Sequence, residues 1–301
     1  MDTRRGASIA ISIILMIMIV IMITALVVSA AGRQSPDVSE KAVVAAAAKY
    51  VASYQQVLTS ILADETYVQK VIEQTPPDPD IPRSRRMTSE IFFMFAPVRQ
   101  DWMTIRDVVS VDGRSVQDRR NVREALATLP AHEVAGAFRE HNSRYNIGRT
   151  FRNFNEPTLS LLALDDHHRS RFSFERRRVQ RTDGATLVTL AFSERQRPTL
   201  IRDPDGRPVF VKGEAIVEAG SGRVRRVQLT AKSDYVRVEL TTVYSPDNRL
   251  ELWVPSEFRE EYELGNPPKA WAPASRVMHE RILCEAAYTN FRRFDTSARI
   301  K

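Results

Sequence analysis

Cysteine is nearly absent from this chain of 301 residues: Cys284 stands alone, so no intramolecular disulfide can form. Any stability outside a reducing compartment must come from packing, and a buried core thiol is the ordinary reading of such a residue. Glycine is scarce too, at 11 residues, and no phosphate-cradling glycine loop, dinucleotide fingerprint or Gly-x-Ser-x-Gly elbow occurs. Histidine numbers only five. His132-Glu133 opens like a metalloprotease helix, but Gly136 stands where the second histidine is needed, one turn on. Asp165-Asp166-His167-His168 offers oxygen and imidazole ligands, yet adjacent side chains point apart and no other ligand cluster accompanies them. The sequence therefore predicts no metal, no cofactor and no motif-borne catalysis.

Charge is absent from one long stretch, Gly6 to Gly32, which is flanked by Arg4, Arg5 and Arg33. Its apolar part, IAISIILMIMIVIMITALVV, is long enough to cross a bilayer core of about 30 Å. Val28-Ser29-Ala30 fits a signal-peptidase site, whereas the length exceeds the usual apolar core of a cleaved signal, about 7 to 15 residues, and favours an anchor. Residues 1–32 are thus a signal peptide or a signal anchor. In either case Arg4 and Arg5 stay in the cytoplasm and the body is exported to the cell envelope or periplasm. No cysteine near Ala30 provides for lipid attachment.

The remaining residues, about 270, suffice for one large domain or two small ones. The net charge of +7 falls to +6 without the leader, which carries Arg4, Arg5 and Asp2. The surplus is arginine, grouped at Arg83, Arg85, Arg86, at Arg176, Arg177, Arg178, Arg181, and at Arg223, Arg225, Arg226. In an exported body these groups are solvated strand faces or contacts to anionic headgroups and acidic polymers, and nucleic acid is not an expected partner.

Periodicity predicts a helix from Glu40 to Leu62, capped by Ser39, with Val43, Ala47, Tyr50, Val51, Tyr54, Val57, Leu58 and Ile61 on one stripe. Strands follow at 66–73, 87–95 and 102–111, then helices at 118–129 and 132–142. The Asp112-Gly113 turn after the third strand reads as an ordinary hairpin; the alternative, a PDZ-like module, lacks the upstream peptide-binding loop. From Arg171 onward, strand-like runs alternate with Asp183-Gly184, Asp203 to Gly206, Gly220 to Gly222 and Ser245 to Asn248, all turn chemistry. The expected fold is α+β: a curved, mainly antiparallel, half-barrel-like sheet covered by a few helices and preceded by the hydrophobic N-terminal helix. Residues 33–165 form a helix-containing α/β part and 166–301 an antiparallel meander, together one domain.

Phe172, Phe174, Leu190 and Phe192 alternate on neighbouring strands and share a face that Val238, Leu240 and Leu252 join. This face is either core beneath the helices or the lining of a groove for an apolar ligand. The segments SRYNIGRTFRNFNEPTLSLLAL, FSERQRPTLIRD, GEAIVEAGSGRVRRVQL, LWVPSEFREEYE and AAYTNFRRFDT resemble those of an uncharacterised group of exported bacterial proteins. That resemblance spans Tyr50 to Phe294. More distantly, the order of the last strands is similar to the lipoprotein-sorting (LolA-like) carriers, which hold acyl chains in a half-open antiparallel barrel. That likeness implies a ligand-holding concave face.

The expected function is a non-enzymatic envelope protein, membrane-bound through its N-terminal segment, that binds a lipid, another apolar ligand or an envelope partner protein. An exported hydrolase assembled around His141, His167 or His168 and nearby carboxylates is the alternative, and a structural subunit of an envelope assembly the second.

Overall fold

Eleven strands build one curved, open sheet in which every neighbouring pair is antiparallel. The computed structural model describes residues 38–96, 98–149, 152, 156–182, 184–203, 205–265 and 279–294, and the predicted leader, 1–32, lies outside them. Among the described residues no helix is long and apolar enough to cross a membrane.

The chain enters through α1 (Glu40–Leu58), then β1 (Ile61–Thr75), β2 (Ser84–Ala96), β3 (Asp101–Val111) and β4 (Arg114–Ser115). Helices α2 (Val122–Thr128) and α3 (Ala131–Ser143) follow, then 3-10 turns at Leu159–Leu164 and Arg169–Arg171. The second half comprises β5 (Phe172–Thr182), β6 (Ala185–Glu194), β7 (Ile201–Arg202), β8 (Pro208–Val209) and β9 (Val211–Glu218), then β10 (Val224–Lys232), β11 (Val236–Asp247), β12 (Leu252–Leu264) and β13 (His279–Arg293). The sheet runs in the order β4-β3-β2-β1-β13-β12-β11-β10-β9-β6-β5, and strands β7 and β8 pair only with each other. Strands from both ends of the body meet in mid-sheet, where β1 pairs with β13.

Alternation decides what each face carries. On β2, Ile91, Phe93 and Phe95 join the large core under α1, whereas Phe92 and Met94 join a second core with Val122, Leu126, Val134 and Phe138 of α2 and α3. Strands β1–β3 are therefore covered on both faces. Helix α1 buries Val43, Val44, Ala47, Ala48, Val51, Tyr54 and Leu58, and each fully buried valine or leucine contributes roughly 1.5–3 kcal/mol. Its fit is close at Gly222, which has φ +71°: a Cβ there would strike the Ala46 backbone.

Several boundaries differ from the sequence expectation for local reasons. Helix α1 stops at Leu58 because the Thr59 hydroxyl turns back to the Gln55 carbonyl (2.6 Å) and accepts the Phe95 amide (3.1 Å), which delivers Ile61 into β1. Helix α2 starts at Val122 because the Asn121 carboxamide accepts from Arg123 N and Glu124 N. Strand β12 continues through the charged stretch from Glu257 to Glu263 and ends at Leu264. At the β3–β4 hairpin Asp112 and Gly113 both have positive φ, 49° and 78°, as the tight primed turn requires.

Candidate functional site

The seven residues expected to line one apolar face lie in or against one core cluster. Phe172, Leu190, Phe192, Val238 and Leu240 are buried in the core beneath α1, and Phe174 and Leu252 pack against it, partly buried. Phe174 lies directly opposite Phe192 in the β5–β6 register, and the Phe172 and Phe192 rings meet edge to face at 5.9 Å. Strands β9 and β10 stand between β6 and β11 and continue the wall with Ala215, Val217, Val227 and Leu229.

Two of these residues also reach a surface cleft. A cavity of about 420 Å³ is bordered by Phe174, Phe192 and Gly213, by the cations Arg177, Arg195 and Lys212, and by Glu175 and Glu214. Arg177 pairs with Glu175 at 2.8 Å and Arg195 Nε donates to Ser173 Oγ at 3.0 Å. Lys212 makes no ion pair with a described residue, so its ammonium is available to a ligand. Gly213 is structurally required here, because a Cβ would collide with the Phe192 ring and the Gln228 carbonyl. The cleft thus sets apolar rings beside uncommitted positive charge. A second cleft, about 730 Å³, is walled by Arg85, Asp112, Asp118 and Arg144, whose charges pair with one another at 3.5 Å (Arg85–Asp112) and 2.7 Å (Arg144–Asp118).

On β1, β12 and β13 the face under α1 turns polar. Arg106 grips Glu65 with Nε and Nη2, at 2.5 and 2.7 Å, and both side chains are buried. The hydroxyls of Tyr67 (2.9 Å) and Tyr262 (2.5 Å) donate to the two oxygens of Glu260, whose carboxyl burial pushes to a higher pKa. Arg152 donates to Cys284 Sγ at 2.7 Å, to Ile147 O at 2.9 Å and to Gln69 Oε1. Burial raises the Cys284 thiol to about 12. Burying an apolar group against these charges would cost more than burying it against the aliphatic wall of β6 and β9–β11. No sequence signal marks the polar belt, because Glu65, Gln69 and Glu260 occupy inward positions where alternation predicts apolar residues.

The histidines do not assemble a common site. His141 neighbours Asp118 and Arg144 at the end of α3, while His168 is held by Asp165, with Nδ1 at 2.8 and 2.9 Å from the two carboxylate oxygens. Desolvation raises Asp165 to about 6 and, more strongly, Glu156 to about 7. No hydroxyl or thiol of a described residue hydrogen-bonds the Nε2 of His168, so the nucleophile–base contact of a hydrolytic triad is not formed among the described residues. No group of three or more metal-ligating side chains occurs among the described residues either.

No protein-family model and no curated protein matches the chain. Among solved structures it is similar to a domain from Vibrio parahaemolyticus described as an outer membrane lipoprotein-sorting protein domain, at 8% identity and a TM-score of 0.39, covering 83% of this chain and 91% of that one. A DUF1329 family protein from Desulfovibrio piger is similar at 10% identity and a TM-score of 0.35, covering 86% and 97%.

Proposed function

We propose that this chain is a non-enzymatic cell-envelope protein, tethered to the inner membrane by its N-terminal segment, that takes a lipid or other amphiphile at the β5–β6–β9 end of its sheet. The observation that carries this reading is the cleft in which Phe174 and Phe192 meet Arg177, Arg195 and Lys212. Apolar rings beside Lys212 and Arg195, neither of which makes an ion pair with a described residue, match a ligand with an acyl portion and an anionic head. The uncharged run from Gly6 to Gly32 supports export and anchoring, with the N-terminus in the cytoplasm.

Native mass spectrometry with lipid extraction, on the full chain purified from an exporting host, tests the reading. One bound amphiphile per chain is expected, and Phe174→Asp combined with Lys212→Glu is expected to remove it while circular dichroism stays unchanged. A ligand-free mass for the unaltered protein, or a lipid retained equally by the variant, would count against the cleft.

A further inference from the structure

Strand β5 closes one edge of the sheet and carries Arg176, Arg177, Arg178 and Arg181 within six residues, all of them exposed. Little neutralises them. Arg177 pairs with Glu175, but Arg178 and Arg181 form no ion pair with a described residue, and their partners on β6, Thr189 and Thr186, are uncharged. Val179, 40% exposed, projects from the middle of the run. An unpaired edge invites another strand, yet closely spaced like charges resist pairing with a second copy of the same edge. An anionic surface is the complementary occupant.

The position of this strand supplies the second observation. Arg176 Nη1 donates to the backbone carbonyl of Val38 at 3.1 Å, and α1 packs against β5. The basic edge therefore lies where the body's chain runs back towards the leader. From Gly32 to Val38 are six residue steps, which span about 20 Å at full extension. We infer that β5 is a membrane-docking edge, its arginines binding the anionic phosphodiester headgroups of the bilayer that holds the leader, with Val179 entering the interfacial layer. Guanidinium forks suit this contact because each can bridge two phosphate oxygens. The inference rests on the tethered reading above and shares only Arg177 with the cleft.

The test uses the full chain in vesicles of phosphatidylcholine alone and of phosphatidylcholine with phosphatidylglycerol. Val179→Cys takes a nitroxide label, while Cys284, fully buried, stays unlabelled. In the anionic vesicles the label is expected to gain access to oxygen and lose access to a water-soluble nickel chelate. Phosphatidylcholine, high salt, or replacement of Arg176, Arg178 and Arg181 by glutamine, which leaves the cleft's Arg177 in place, is expected to return it to water, with the melting temperature unchanged. A label equally aqueous in both vesicles would overturn the inference while leaving the tether intact, provided the chain floats with the lipid. A chain that does not float overturns the tether and this inference together. Spin–spin broadening, the mark of a second copy on the edge, also overturns it, as does a label shielded equally in phosphatidylcholine.

Discussion

Arg106 on β3 reaches across β2 to clasp Glu65 on β1 with two parallel hydrogen bonds, and both side chains are buried. Such a pair offsets its own desolvation only while both members are present. Arg106→Met should destabilise the body by about 3–5 kcal/mol, because it leaves a buried carboxylate without its cation. Replacing both, Glu65→Leu with Arg106→Met, should recover most of that loss. Urea melts of the two single variants and the double variant give the coupling directly.

Stability should fall as pH rises through the range between the ordinary glutamate value and the folded value for Glu156. Desolvation holds this carboxyl at about 7 in the folded state, against an ordinary value of 4.5. The folded protein therefore binds more protons than the unfolded chain across that window, and its stability decreases with pH until about 7, then levels. At about 1.4 kcal/mol per unit the loss is on the order of 3 kcal/mol. Glu156→Gln should flatten this slope and be relatively more stable than the unaltered protein at pH 8 than at pH 5. Denaturant midpoints of both proteins at the two pH values check it, and equal slopes would refute it.

The Cys284 thiol should be inert in the native protein. It is fully buried, and burial lifts its pKa to about 12, so the reactive thiolate is scarce as well as inaccessible. Ellman's reagent should react only as fast as the body unfolds. A fast native reaction would mean that the β13 face opens locally.

Gly222→Ala should loosen α1. The substitution places a methyl group against the Ala46 backbone at a position with φ +71°, a combination expected to cost about 2–4 kcal/mol. Hydrogen exchange across Glu40–Leu58 should accelerate while β12 and β13 keep their protection. Uniform acceleration would instead mean that helix and sheet unfold as one unit.

Strand count and face assignment are largely legible in the sequence, because most inward positions of β6, β9, β10 and β11 carry aliphatic residues at period two. The shared face of Phe172, Phe174, Leu190, Phe192, Val238, Leu240 and Leu252 can be read for that reason. The same rule fails on β12: Glu260 fills an inward position between Phe258 and Tyr262, so the segment from Ser256 to Leu264 resembles a charged loop. What rescues Glu260 there is a pair of tyrosine hydroxyls, one from β12 itself and one from β1, at the far end of the body's sequence. Arg152 is equally hidden, since its partners Gln69 and Cys284 come from strands that only the tertiary fold brings together. The cleft, too, depends on Lys212 and Gly213 falling beside Arg177, a β9-to-β5 proximity that local pattern cannot supply.

The pairing of β1 with β13 also bears on when the protein can fold. The two partners are the first and the last of the described strands, so this seam is among the most non-local contacts the chain makes. Until β13 is available, β4-β3-β2-β1 and β12-β11-β10-β9-β6-β5 are two separate half-sheets, each with an open edge. The seam therefore closes late in any folding order that follows the chain, because β13 is the last of the described strands.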